Sequence, residues 1–230
     1  MRRIGIIGGM SWESTQLYYR LVNERVRAAK GGLSSAPLLI HSVDFAPVAA
    51  MQAAGDWDGL TSMMVEAGCD LKAAGVQALA IATNTMHKMA DAVTVATGLP
   101  LIHIADPTAQ AIRAAGLSRV ALLATRFTME QDFYRDRLAA AGLSVLIPEA
   151  AERAEIHRII YEELCRGLVR DDSRVLYAGI IRGLRDKGAQ AVILGCTEIT
   201  MLVRPQDMDL PLFDTTGLHA AAIADWAMAA

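Results

Sequence analysis

The sequence predicts an α/β fold made of two similar doubly wound parallel-sheet lobes related by a pseudo-twofold. Three observations point there. Short, continuous apolar runs alternate with longer segments whose apolar residues recur at helical spacing. Strands that read as unbroken apolar runs belong to parallel sheets covered on both faces. Finally, the chain repeats itself at an offset close to half its length.

The elements follow in order. Ile4–Ile7 is the first strand, ended by Gly8-Gly9, and Glu13–Lys30 has helical periodicity. Pro37–His41 is the second strand, Trp57–Ala74 a helix, Ala78–Ala82 a strand and Pro100–Ile102 another. The pattern restarts at Val120–Ala124, continues through Met129–Ala141, Ser144–Ile147, Glu152–Arg166 and Ser173–Lys187, and reaches a strand at Ala191–Leu194. Pro211–Phe213 is the last strand. Gly75, Gly142 and Gly188 each follow a helical pattern, the usual position of a glycine that closes a helix.

The repeat is specific. Arg3-Ile4-Gly5-Ile6-Ile7-Gly8 matches Arg119-Val120-Ala121-Leu122-Leu123-Ala124, and Tyr18-Tyr19-Arg20 matches Phe133-Tyr134-Arg135. Gly75-Val76-Gln77-Ala78 through Thr83 matches Gly188-Ala189-Gln190-Ala191 through Cys196. Residues 1–101 with 205–230 are expected to form the N-terminal lobe, and 102–204 the C-terminal lobe. The final strand and helix can return to either lobe, and the first is favoured.

Composition excludes several classes. With 53% hydrophobic and 20% charged residues in 230, the chain is not disordered. Charged residues interrupt every apolar stretch before about 18 positions, so no membrane span is expected. A net charge of −3 offers no basic footprint for nucleic acid or an anionic membrane. Cys69, Cys165 and Cys196 form neither a disulfide framework nor a zinc pattern, which suits a reducing cytoplasm, and no export signal is read at the N-terminus. The five histidines lack metal-ligand spacing. Gly5-Ile6-Ile7-Gly8-Gly9 misses the glycine spacing of a dinucleotide site, and none of the four lysines stands at a strand exit where a pyridoxal Schiff base would form. No metal and no cofactor are expected.

Ligands of open α/β sheets bind beyond the carboxyl ends of the strands. The informative exits are Thr83-Asn84-Thr85 and Cys196-Thr197-Glu198, each after a small residue and each opening a helical segment. If equivalent exits meet across one cleft, a hydroxyl and a thiol flank the bound molecule, and helix N-termini supply amides for a carboxylate. That suits proton removal on one face of a carbon beside a carboxylate and proton delivery on the other. Helix amides are expected to depress the Cys196 thiol modestly. Thr83 is the weaker partner and passes its proton directly or through water. Met10, Ser11, Gln52, Thr125 and Thr128 are expected on the walls, and Glu198 beside Cys196. His87, Cys69 and Cys165 read as structural, and Asp44 as a tie for the loops of the first lobe.

Gly8-Gly9-Met10-Ser11-Trp12-Glu13-Ser14, Thr83-Asn84-Thr85-Met86-His87-Lys88 and Gly195-Cys196-Thr197-Glu198 together resemble the cofactor-independent aspartate/glutamate racemase superfamily. Within it the chain is most similar to the bacterial branch of L-aspartate/glutamate-specific amino-acid racemases. His41-Ser42-Val43-Asp44-Phe45 and Phe213-Asp214-Thr215 extend the likeness over almost the whole chain. The resemblance implies racemisation of L-aspartate and L-glutamate, with L-homoserine as a further substrate, in a homodimer without pyridoxal phosphate or metal. It makes Cys196 the base toward the L-enantiomer, places Thr83 where two-cysteine members carry the other thiol, and assigns Asn84 and Thr85 to the substrate carboxylate, with Thr197 and Glu198 as further substrate-binding residues. The family's distal-group lysine is replaced by Cys165, and its arginine after the second strand by neutral residues around Met51 and Gln52, which implies broad side-chain specificity. Two alternatives remain at this stage: a single-cysteine decarboxylase of the same fold, and an amino-acid-binding protein without catalysis.

Overall fold

The structure, a computed structural model, describes residues 1–229. It contains two four-stranded, all-parallel sheets. The first is ordered β2-β1-β3-β4 and the second β6-β5-β7-β8, so the same strand order occurs twice. The first sheet comprises β1 (Ile4–Gly8), β2 (Leu38–Ser42), β3 (Ala78–Ile81) and β4 (Leu101–Ile102); the second comprises β5 (Arg119–Ala124), β6 (Ser144–Leu146), β7 (Ala191–Gly195) and β8 (Leu212–Asp214). The central strands β1, β3 and β7 are buried at every position, as continuous apolar sequence requires when helices cover both faces. Each fully buried Ile or Leu among them contributes about 1.5–3 kcal/mol of transfer free energy.

The chain divides into two compact units. The first comprises residues 1–104 and the segment from His219 onward, and the second is Ala105–Leu218. In the first unit α1 (Trp12–Lys30) buries Tyr18, Val22 and Val26, one stripe at helical spacing, against Ile4, Ile6 and Ala80. The same cluster takes Ala220, Ile223, Ala224 and Ala227 from α11 (Thr215–Met228). The opposite face is covered by α2 (Phe45–Ala54), α3 (Trp57–Ala73) and α4 (Ala90–Thr97), whose Val48, Leu60, Met64 and Val93 join Ile7 and Ile81.

The second unit carries α5 (Ala105–Ala114), α6 (Arg126–Glu130), α7 (Asp132–Ala140), α8 (Ala150–Glu162), α9 (Asp171–Asp186) and the four-residue α10 (Ile199–Leu202). Two helical segments are split relative to the sequence reading. Gln131 is extended (φ −87°, ψ 147°) and divides Met129–Ala141 into α6 and α7. Glu149 and Glu152 form a reciprocal capping box that starts α8 at Ala150, and a 3-10 turn at Leu164–Arg166 replaces its expected end.

The boundary differs from the sequence expectation. β8 pairs with β7, Val192 with Leu212 and Ile193 with Phe213, so the final strand belongs to the second sheet rather than to the N-terminal lobe. Only the chain from His219 joins the first unit, because the apolar face of α11 packs on Ile4 and Tyr18. Residues 102–104 also stay with the first unit. The aromatic match shifts by one position too. Tyr18 and Tyr134 are the fully buried pair, whereas Tyr19 is exposed and Phe133 only half-buried.

Candidate active site

In the first unit the exits of β1 and β3 lie side by side, since Ile7 registers with Ile81 and the Ala82 amide donates to the Ile7 carbonyl at 2.9 Å. Gly9 turns the β1 exit at φ +92°, and a Cβ there would stand 2.2 Å from the Val43 carbonyl oxygen, so only glycine fits. Ser11 then caps α1, its hydroxyl accepting from the Ser14 amide at 3.3 Å. Met10 is buried in the apolar cluster with Ile7 and Val48, so its side chain packs as core. Gln52, near the C-terminal end of α2, is buried and donates from Nε2 to the Met86 sulfur at 3.4 Å, which ties α2 to the β3 exit. Asp44, exposed, caps α2 by accepting from the Ala46 amide.

Thr83 follows β3 in a bend and is half-buried, while Asn84 and Thr85 behind it are buried. The segment opens a 3-10 turn, Thr85–Met89, before α4 begins, rather than the helix expected at this exit. Its His87 ring binds the Thr83 carbonyl oxygen through Nδ1 at 2.8 Å.

The second unit repeats this plan on β5 and β7, where Ala124 registers with Gly195. Thr125 caps α6 as Ser11 caps α1, accepting from the Thr128 amide at 3.4 Å, with the two hydroxyls 3.3 Å apart. Thr125 is thus the cap, and Thr128 lies within α6 and supplies the amide it accepts from. Gly195 is required by close approach: a Cβ would meet the Ala124 Cβ at 2.9 Å and Leu122 Cδ1 at 3.1 Å.

Cys196 leaves β7 with its Sγ 3.0 Å from Glu198 Oε2, the thiol donating to the carboxylate. Glu198 is buried, with 8% of its surface exposed. Burial first, and then the Glu198 charge, push the Cys196 thiol well above its ordinary range. The modest depression expected from helix amides is therefore corrected. The helix beyond, α10, has only four residues, and a carboxylate sits where its field would act. Thr197 accepts at Oγ1 from the Thr216 hydroxyl at 3.2 Å, and the Thr215 hydroxyl donates to the Leu194 carbonyl at 3.0 Å. Asp214 caps α11 through the Thr216 and Gly217 amides.

Sequence reasoning missed Tyr161. Burial raises its phenol, and Cys196, Cys165 and Glu198 add to the rise, so all three lie within its electrostatic reach. Its ring lies tilted against His157 at 4.6 Å, and His157 meets Phe127 edge-on at 5.4 Å. The spacing His157, Tyr161, Cys165 runs along one face of α8 into the turn that follows, and was the available signal. His157 is held below its ordinary pKa by burial and by Arg126. Among the described residues no group of three or more His, Cys, Asp or Glu could hold a metal, and no helix is long and apolar enough to cross a membrane.

The solved structure of "a putative Asp/Glu Racemase from Yersinia pestis" is 49% identical, covers all of both chains and superposes with a TM-score of 0.93. An aspartate racemase homologue from Pyrococcus horikoshii is 32% identical, again over all of both chains, with a TM-score of 0.84. A glutamate racemase from Levilactobacillus brevis is 32% identical over 136 residues, 56% of this chain but only 46% of that protein. The family model described as Asp/Glu/Hydantoin racemase matches residues 7–223. The chain belongs to the Asp/Glu/hydantoin racemase family.

Proposed function

We propose that this protein is a cofactor-independent amino-acid racemase that interconverts L- and D-aspartate and L- and D-glutamate by two-base proton transfer. Cys196 removes the α-proton of the L-enantiomer, and Thr83 serves the opposite face. Asn84 and Thr85 hold the α-carboxylate, which takes up the charge as the α-carbon loses its proton, and Thr197 binds beside them. Ser11, Gln52, Thr125 and Thr128 shape the walls around it. The proposal requires Thr83 and Cys196, which belong to different compact units, to reach opposite faces of one α-carbon.

The thiol–carboxylate pair carries this assignment. An α-proton beside a carboxylate is very weakly acidic, so its acceptor must be a strong base, and a thiolate with a raised pKa is stronger than an ordinary one. Glu198, 3.0 Å away, accepts from the thiol, orients the sulfur and, by its charge, makes the thiolate a stronger base. Once the Cys196 thiol has lost its proton to solvent, the α-proton moves to the sulfur, and a proton from the Thr83 side, which Thr83 regains from water, completes inversion. The relatives named for aspartate and glutamate racemisation support the substrate class. L-Homoserine belongs on the same list because Cys165 stands where a cationic distal-group ligand is expected. A homodimer in the cytoplasm goes with this proposal.

Deuterium incorporation from D2O into L-aspartate and L-glutamate tests it. The wild type exchanges and inverts, Cys196→Ser does neither, and Thr83→Ala loses inversion more than exchange. Unchanged chirality with every acidic amino acid after long incubation would contradict it, and carbon dioxide release from a malonate would mark a decarboxylase instead.

A further inference from the structure

Three of the five histidines, scattered in sequence, form a buried row within the first unit. The His87 ring lies 4.4 Å from His103 and 5.6 Å from His219, and His219 meets Tyr18 edge-on at 5.5 Å. All four side chains are buried.

The partners of His87 determine its tautomer. His87 Nδ1 faces the Thr83 carbonyl oxygen at 2.8 Å, and a carbonyl only accepts, so Nδ1 bears the hydrogen. His87 Nε2 receives the Ile104 amide at 3.2 Å, and an amide N–H only donates, so Nε2 is bare. His219 donates from Nε2–H to the Ile102 carbonyl at 2.7 Å, and its Nδ1 lies 2.9 Å from the Tyr18 hydroxyl. The two rings hold the Ile102–Ile104 segment, His219 by its carbonyl and neutral His87 by its amide.

The backbone explains why Thr83 needs the His87 ring. In an α-helix the His87 amide would donate to the carbonyl four residues back, which is that of Thr83. Here the chain forms a 3-10 turn, and the His87 amide donates instead to Asn84 at 3.1 Å. The side chain of His87 supplies the donor that its own backbone withdraws. The β3 ladder ends before this point, so the carbonyl is not held by the sheet either.

We infer that His87 is a positioning residue that fixes Thr83: Nδ1–H anchors the Thr83 carbonyl while Nε2 anchors the ring to Ile104. This rests on the role proposed above for Thr83. Without the ring, the exit loses the bond that holds its bend, and the Thr83 hydroxyl is no longer presented in one orientation. The half-reaction at Cys196, in the other unit, does not depend on that bond.

The test uses the full-length protein with His87→Ala and His87→Asn, because an asparagine amide can stand where Nδ1–H stands. Deuterium entry into L-aspartate without inversion reports Cys196; inversion, and deuterium entry into D-aspartate, report Thr83. Expected for His87→Ala are a loss of about tenfold in the Thr83-dependent rates, the scale of one net hydrogen bond, and near-wild-type exchange at L-aspartate. His87→Asn recovers most of the loss. Nitrogen-15 spectra of the wild type show His87 protonated at Nδ1 and bare at Nε2. Equal losses in both halves, no loss in either, no recovery in His87→Asn, or the reverse tautomer would each overturn the inference. Should His87→Ala not fold, His87→Asn and the wild-type spectrum still decide it. A wild type that neither exchanges nor inverts sinks the racemase assignment itself, a different result from an active wild type with symmetric losses.

Discussion

The thiol of Cys196 and the carboxylate of Glu198, two residues apart at the end of β7, share a hydrogen bond of 3.0 Å. Burial and that neighbouring charge raise the thiol rather than lower it, so at neutral pH the sulfur holds its proton and the carboxylate accepts from it.

A pH dependence follows from the sign of that shift. The rate with L-substrates should climb with pH through and beyond the ordinary thiol range, because the thiolate forms late. Glu198→Gln removes one of the charges that oppose ionisation, so the rising limb should move to lower pH while the maximal rate falls. Rate profiles for the two proteins check this. A limb that moves upward would show that the carboxylate does not raise the thiol.

Substrate breadth gives a second prediction. If, as proposed, Cys165 in the turn after α8 takes the place of a cationic distal ligand, L-aspartate, L-glutamate and L-homoserine should be turned over within about one order of magnitude, since few kcal/mol separate side chains that are weakly discriminated. Cys165→Lys should favour the acidic substrates over L-homoserine. Parallel measurement of kcat/KM for the three substrates decides, and strict rejection of all but L-aspartate by the wild type would contradict it.

Gly195 should not tolerate a side chain. Gly195→Ala forces a methyl against the Ala124 Cβ at 2.9 Å and the Leu123 carbonyl oxygen at 3.3 Å. Overpacking of this kind costs about 1–3 kcal/mol. The strand shift also displaces Cys196, so activity should fall further than the melting temperature suggests. Thermal unfolding and turnover, measured on one preparation, separate the two effects.

Acid sensitivity should trace in part to Glu163. This buried carboxylate accepts from the Ser173 hydroxyl at 2.6 Å and from Arg158 at 3.0 Å, and those bonds hold it below the usual glutamate range. A depressed folded pKa adds stability that is complete above the unfolded value, about 4.3, and is lost as pH falls through the folded value. Ser173→Ala should cost about 1.5–3 kcal/mol at neutral pH, the scale of a hydrogen bond to a charged group. The difference from wild type should shrink in acid. Denaturant titrations at several pH values test both statements.

Much of the fold was legible because local rules governed it. Ile4–Ile7 and Ala191–Leu194 are unbroken apolar runs, which suit only strands covered on both faces, and both became central strands. Less was legible where packing had to choose. Pro211–Phe213 reads as a strand but carries no sign of its sheet, and pairing with β7 assigned it. Gln131 is an ordinary helix former, yet its extended backbone separates α6 from α7. The candidate site divides in the same way. Gly195-Cys196-Thr197-Glu198 announced a thiol at a strand exit, whereas Tyr161 entered the site only through the path of α8.

The strand and helix segments of each half, the residues at the strand exits, the repeat and the presence of one hydroxyl exit and one thiol exit were determined by the sequence alone. They depend on neighbours a few positions away, through backbone propensity and side-chain period. The protonation of Cys196, the tautomer of His87, the strand order in each sheet and the sheet that receives β8 were decided by tertiary structure. Desolvation, charge and hydrogen-bond partners there come from residues that meet only when the chain has folded, and no local pattern records which distant group will arrive.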